Sequence, residues 1–125
     1  MSPCLSARTL DALVCALCAD FDRRRIAIGE GRLSRRVLLE YRYLNDRILA
    51  AALSVVGHCD LALTFVREIG TRTGYAKSAI DGMSEITYKR YKHAIRHRIA
   101  EELALSDRDE GGEVSCERRR RKKKF

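Results

Sequence analysis

The sequence has no tryptophan, three phenylalanines and one proline, Pro3. Because proline ends helices and removes a backbone donor, the remainder of the chain is free to form long helices. Hydrophobic residues make up 46% of the chain, which is enough for a core. Because few of them are aromatic, that core must consist mainly of Leu, Ile, Val and Ala. A length of 125 residues suits one domain with tails. The composition predicts an all-α fold.

Long apolar runs are also missing. The best one, Ile48 to Val56, is far shorter than the roughly 20 residues that a membrane helix needs. The segment from Leu10 to Cys18 is not a signal peptide, since no charged region precedes it and Asp20 and Asp22 follow closely. The cysteines number five, without regular spacing, which favours reduced thiols. We expect a cytoplasmic protein (nuclear in a eukaryotic host) without a membrane partner.

Negative charge is in the minority. The 25 Lys and Arg outnumber the 17 Asp and Glu, so the net charge is +8. Residues 106–125 hold eight basic and five acidic side chains, a net of +3, which leaves +5 on residues 1–105. A basic surplus within the folded part favours a polyanionic partner, with duplex DNA as the first expectation and RNA as an alternative.

Periodic apolar residues predict four to five helices. The first should run from about Ser6 to Ile28, where Gly29 and Gly31 stop it, and its stripe is Leu10, Leu13, Leu17, Phe21 and Ile28. The second should begin after the cap Ser34 and end at Gly57. Its seam is Val37, Tyr41, Leu44, Ile48, Ala51 and Val55. We expect these two helices to pack as an antiparallel hairpin, or the seam to form a homodimer.

Two further helices are predicted. Asp60 is the expected cap of a short third helix through Ile69, and a last helix should start at Ser84 and reach about Leu103. Residues 1–105 therefore form the expected helical domain. Residues 106–125 are polar and are expected to be a disordered polybasic tail, with seven consecutive basic residues from Arg118 to Lys124.

The stretch 66–98 carries the functional prediction, a helix-turn-helix-like unit. In one alignment Gly70 is the small position of the first helix, Gly74 is the turn, and the second helix presents Lys77, Ser78 and Asp81. In the other alignment, Gly82 and Met83 form the turn and Ser84 caps the recognition helix. We favour this alignment because its recognition helix is strongly basic. Both place basic and hydroxyl side chains against phosphates and base edges. The expected nucleic-acid-binding residues are Lys77, Ser78, Thr87, Lys89, Arg90, Lys92, His93 and Arg96.

Residues 37–105 resemble small sigma-factor-like helix-turn-helix regulators of phage and mobile-element origin. The resemblance lies in the runs LLEYRYLND, GYAKSAI and SEITYKRYKHAIRHRIAEEL, and the matching positions are Gly82, Met83, Ser84, Thr87, Tyr88 and Lys92. The long cysteine-containing first helix and the polybasic tail depart from that pattern. The resemblance implies a DNA-binding transcriptional regulator.

Other readings stay open. A helical protein-interaction or oligomerisation module without specific DNA binding is the main alternative. Cys15 and Cys18 form a C-x-x-C motif, and with His58 and Cys59 nearby they could bind zinc. However, Cys15 and Cys18 lie in an apolar stripe, which favours core packing. No metal or other cofactor is therefore expected. No Ser or Cys is placed beside the three histidines in a pattern that suggests activation, and the sequence has no paired-carboxylate signature or phosphate-binding loop, so we do not expect an enzyme.

Overall fold

The computed structural model describes residues 6–105 and confirms an all-α fold, with five α-helices and no strand in that range. The expected tail, 106–125, lies outside the described residues. The helices are α1 (Ala7–Ala19), α2 (Phe21–Glu30), α3 (Arg35–Val56), α4 (Cys59–Thr71) and α5 (Glu85–Glu102), and a single 3-10 turn (Tyr75–Lys77) lies between the last two.

Two helices begin and end as the sequence predicts. The Ser34 and Ser84 hydroxyls accept hydrogen bonds from the backbone N–H groups three residues later, which caps α3 and α5. Gly57 ends α3 with a left-handed φ of 71° that a side chain would disfavour. The cap expected at Asp60 is wrong: His58 caps α4, and Asp60 lies in the first turn.

The long first helix is also wrong, because the chain breaks at Asp20 into α1 and α2. The break lets Val14 and Cys18 of α1 and Phe21 and Arg24 of α2 all be buried. A continuous stripe would bury Leu13 instead, but Leu13 is exposed. A periodic pattern continues through the bend, which is why the sequence does not reveal it.

The core forms where α1, α3, α4 and α5 meet, and its completely buried side chains include Ile48, Phe65, Ile95 and Ile99. α3 packs on α4 and α5, while α1 packs mainly on α4 and then on α5. Only α2 among the first two helices packs extensively on α3. The expected long hairpin is therefore reduced to the α2–α3 pair, and the seam residues Ile48 and Ala51 are buried inside the protein.

Arg24 joins α1, α2 and α3 through polar contacts inside the protein. Its Nε donates to Oδ1 of Asn45 at 2.7 Å, and a guanidinium nitrogen donates to the Leu17 carbonyl at 2.6 Å. Asn45 in turn donates to the Phe21 carbonyl. Burial lowers the pKa of Arg24, but a guanidinium stays charged at all ordinary pH values. Arg24 thus satisfies the Leu17 carbonyl in the last turn of α1, where a cation also suits the helix dipole.

Gly70 has a different role from the one that the first alignment gives it. A Cβ at this position would lie 2.6 Å from the backbone nitrogen of Ala19, so the glycine allows α1 and α4 to pack backbone to backbone. The first alignment also requires a helix after Gly74, but this region contains only the 3-10 turn and extended backbone. That alignment is wrong, because Gly70 serves the contact with α1.

Of the second alignment, the structure contains the predicted helix but not the predicted short turn. α5 begins after Ser84 as expected, and Gly82 has a φ of +78°. The connection from α4, residues 72–84, is longer than the three or four residues of a standard helix-turn-helix turn. Aromatic contacts of Phe65 with Tyr88 and Tyr91 join α4 to α5 instead.

Candidate nucleic-acid interface

The connection 72–84 is anchored to α4 by a buried carboxylate, Glu68. Its Oε1 accepts hydrogen bonds from the Tyr88 hydroxyl at 2.6 Å and the Ser78 hydroxyl at 2.7 Å. Its Oε2 accepts from the backbone N–H of Ala79 at 2.7 Å. Three donors on two oxygens supply the solvation that the carboxylate loses on burial. Ser78, an expected phosphate ligand, is therefore a structural residue.

Tyr88 lies at the centre of this anchor. Its ring packs between Phe65 and Tyr75, and the Tyr75 hydroxyl donates to the Met83 carbonyl at the end of the connection. Burial, together with the bond to Glu68, raises the pKa of Tyr88 to about 12. The start of α5 is consequently fixed relative to α4 by side chains from three parts of the chain.

Lys92 is the second expected ligand that the fold uses internally. Its Nζ donates to the Thr73 carbonyl at 2.7 Å and lies 5.3 Å from the centre of the Tyr88 ring. Burial lowers the pKa of this half-buried lysine. With its ammonium group bonded to the connection, Lys92 is a poor phosphate ligand.

Carboxylates pair with much of the remaining basic face of α5. Arg96 lies 2.9 Å from Asp11 of α1 and is only 31% exposed, and Arg98 pairs with Glu102. Lys89 pairs with Glu85 at 2.8 Å, but both side chains are more than half exposed. Exposed pairs contribute little free energy, so a phosphate can displace Glu85 from Lys89. Arg96, by contrast, is tied to α1.

A free basic surface remains on the first half of α5. Ile86, Arg90 and His93 follow one another at four and three residues, the spacing of a single helix face, and all three are exposed. No ion pair of Arg90 or His93 is found within residues 6–105. Ile86 is the most exposed large hydrophobic residue in that range, at 71%.

Two other expected ligands lie beside that face: Lys89 neighbours Arg90 on α5, and Thr87 is partly exposed with its hydroxyl 3.0 Å from that of Ser84. We call these five residues the α5 surface: Ile86, Thr87, Lys89, Arg90 and His93. Lys77 is exposed at the end of the 3-10 turn, in the connection. The structure thus leaves five of the eight expected ligands accessible, four of them on the α5 surface, and adds Ile86.

The cysteine motif lies in the core, as its position in an apolar stripe predicts. Cys15 and Cys18 are buried, and burial raises the pKa of Cys18 to about 12. Cys59 is exposed at the start of α4. Within residues 6–105, no group of three or more His, Cys, Asp and Glu side chains has the arrangement to hold a metal ion.

Taken singly, none of the helices within residues 6–105 is long and apolar enough to cross a bilayer. α3 and α4 meet the requirement only as a pair, which is bent by 116°.

No protein-family model matches the chain, and no significant match is found among curated proteins or solved structures. The likeness to sigma-factor-like regulators therefore rests on the short motifs alone.

Proposed function

We propose that the protein binds duplex DNA through the α5 surface and acts as a transcriptional regulator. The carrying observation is an exposed basic face at the start of a capped helix, held on a rigid support by the Glu68 anchor. Recognition helices in helix-turn-helix proteins contact base edges with the residues of their first turns. Ile86 and Arg90 lie in the first two turns of α5, and His93 lies on the same face in the third.

Each side chain of the α5 surface has a chemical role in this proposal. Arg90 has the forked donor geometry that suits guanine edges, and Ile86 offers an apolar contact for a thymine methyl group. His93, two turns further on, is a hydrogen-bonding group of either polarity. Lys89 and, from the connection, Lys77 neutralise phosphates, and the hydroxyl of Thr87 can donate to a phosphate oxygen.

Lys92 bonds to Thr73 and Arg96 pairs with Asp11, so both are engaged within the protein. The basic face of α5 therefore has fewer free cations than the sequence suggests. The electrostatic attraction supplied by α5 is correspondingly smaller, and sequence-independent attraction must come partly from other arginines and from residues 118–124. In this proposal, contacts of Arg90 and His93 with base edges give the protein a sequence preference. A protein that binds polyanions only through its net charge would have none.

The test uses full-length protein in which residues 118–124 are replaced by glutamine, so that these basic residues cannot dominate binding. Duplex DNA is titrated at several salt concentrations with the parent and with Lys89→Ala/Arg90→Ala/His93→Ala. We expect the variant to bind at least about tenfold more weakly, with a log–log salt slope smaller by about 2, since each phosphate contact contributes about 0.9.

The matched control is Arg23→Ala/Arg32→Ala, which also removes two exposed cations, but on α2 and the loop that follows it. It should bind nearly as the parent does. Equal loss in both variants would show that DNA responds only to net charge, and the assignment of the α5 surface would be wrong.

A protein-interaction module is the second candidate function. It is favoured by the exposed side chains Leu39 and Tyr43 on α3, at 53% and 55%, which a DNA-binding α5 surface does not explain.

A further inference from the structure

Most of the arginines within residues 6–105 lie not in α5 but in the α2–α3 arm, residues 23–47. It contains eight arginines and three carboxylates. It also contains three of the five large hydrophobic residues exposed in the structure, Ile26, Leu39 and Tyr43. Ordinary surfaces mix both signs of charge and expose hydrophobic residues singly. This combination of arginine and apolar side chains therefore needs an explanation.

Four side chains of α3 form a continuous outer surface: Arg35, Leu39, Arg42 and Tyr43. Leu39 is four residues from both Arg35 and Tyr43 and three from Arg42, so all lie on adjacent positions of one helix side. Ile48 and Ala51, which face the core, lie on the opposite side. We call these four residues the α3 outer surface.

The charges of this surface are free and its aromatic ring has a cation beside it. No ion pair of Arg35 or Arg42 is found within the described part of the chain. Arg47 lies 5.7 Å from the centre of the Tyr43 ring and pairs with Glu102 of α5. The contact with the Arg47 guanidinium favours one position of the exposed ring.

The α3 outer surface is separate from the α5 surface. Arg47 meets Glu102 at the last residue of α5, whereas Ile86 lies at its beginning. Sixteen residues of helix separate Ile86 from Glu102, a distance of about 24 Å at 1.5 Å per residue. A ligand on the α5 surface therefore leaves Tyr43 and its neighbours uncovered.

We propose that the α3 outer surface docks an amphipathic helix of a partner protein, with apolar anchors on Leu39 and Tyr43 and carboxylates opposite Arg35 and Arg42. Charge complementarity selects this occupant. A second copy of the chain would bring the same two unpaired arginines, with only Asp46 to oppose them, so two such surfaces repel each other. A nucleic-acid backbone would use the arginines but leave Leu39 without an apolar partner.

The proposal does not depend on DNA binding and is tested with a synthetic probe. The probe is a labelled peptide helix about four turns long, with Leu at i, i+3 or i+4 and i+7 and Glu beside them. A scrambled peptide of equal composition is the reference. Full-length protein with residues 118–124 replaced by glutamine should bind the amphipathic probe and bind the scrambled one at least about tenfold more weakly.

Two variants divide the surface into its apolar and charged parts. Leu39→Ala/Tyr43→Ala and Arg35→Glu/Arg42→Glu should each weaken binding of the amphipathic probe by about tenfold or more, because anchors and charges act together. The charge-matched control is Arg8→Glu/Arg23→Glu/Leu13→Ala, which reverses two exposed arginines and truncates an exposed leucine on α1 and α2. It should bind as the parent does, and all variants should retain the helical circular dichroism of the parent.

Several outcomes overturn the proposal. Absent probe binding, or equal binding of the scrambled peptide, would show that the surface has no apolar recognition. A dimer that Leu39→Ala/Tyr43→Ala dissociates in sedimentation would identify a second copy as the occupant. A fall in duplex DNA affinity with Arg35→Glu/Arg42→Glu beyond that of the control would identify nucleic acid. Loss of DNA binding by the α5 variant, in contrast, bears only on the proposed function.

Discussion

The hydroxyl of Tyr88 lies 2.6 Å from Oε1 of Glu68, and both side chains are buried. This bond connects α5 to α4 across a connection of 13 residues, 72–84. Because the same carboxylate also accepts bonds from Ser78 and Ala79, it fixes both the connection and the start of α5. Together with the packing of α5 on α3 and the aromatic contacts of Phe65, this buried group orients the α5 surface.

Glu68→Gln should lower the free energy of unfolding by about 2–3 kcal/mol. The amide replaces one oxygen of a charged acceptor with a neutral donor, so the Tyr88 and Ser78 hydroxyls must turn to accept from it and the charge-assisted bonds become weaker neutral ones. Urea unfolding followed by circular dichroism measures the change. Glu85→Gln, which alters an exposed carboxylate paired with Lys89, is the matched control and should change stability by less than about 0.5 kcal/mol. Equal effects would show that the Glu68 bonds contribute nothing.

Arg24→Lys should destabilise the protein although it keeps the positive charge. A lysine cannot reach Asn45 and the Leu17 carbonyl together, so one buried acceptor loses its donor, at a cost of about 1–3 kcal/mol. Arg23→Lys, on the neighbouring exposed position, should be nearly neutral. If the two substitutions have the same effect on the urea midpoint, the contacts of Arg24 are dispensable.

Gly70→Ala should destabilise the protein, while Gly29→Ala should stabilise it. A methyl group at Gly70 would meet the backbone of Ala19 at 2.6 Å and push α1 from α4, which costs about 1–3 kcal/mol or more. Nothing lies within 4 Å of a Cβ at Gly29, which is helical, so alanine there should add about 0.5–1 kcal/mol. Thermal unfolding distinguishes the two signs, and a tolerated Gly70→Ala would refute the close approach of the helices.

Stability should fall as the pH rises above 9, partly because of Cys18. Burial raises the pKa of this thiol from 9.0 to about 12, so the folded state holds the proton more tightly than the unfolded state. A raised pKa contributes stability below the unfolded value that is lost as pH rises through the folded value. Tyr88 acts in the same sense, whereas Lys92, whose pKa is lowered, acts oppositely.

Comparison with Cys18→Ala isolates the contribution of the thiol. The variant should be less stable at neutral pH because it leaves a cavity, but its stability should fall less steeply between pH 9 and about 11. Urea unfolding at a series of pH values measures both slopes. Parallel curves for the parent and the variant would show that Cys18 does not titrate differently on folding.

Local signals account for the parts of the fold that the sequence predicts. Ser34, Ser84 and Gly57 mark helix ends through their own backbone chemistry, and the stripe Tyr88, Ile95 and Ile99 follows from helix periodicity. Such features require no knowledge of distant residues.

The errors involve contacts between residues far apart in the chain. On a helical projection Arg96 and Lys92 appear free to bind a ligand. In the structure Arg96 pairs with Asp11 of α1, and Lys92 bonds to the Thr73 carbonyl. Ser78 likewise bonds to Glu68 of α4. No periodicity in α5 reveals these partners. The isolated acid Glu68 inside the apolar pattern of α4 was the one available signal that a buried polar anchor existed.

The most direct test of the α5 surface is selection from random duplex DNA by the full-length protein with residues 118–124 replaced by glutamine. The account predicts enrichment of a defined sequence, and a changed or lost preference with Arg90→Ala/His93→Ala, because the proposal assigns base contacts to those side chains. The Arg23→Ala/Arg32→Ala control should enrich the same sequence as the parent. Recovery of unenriched DNA, or of one sequence regardless of Arg90 and His93, would contradict recognition by α5.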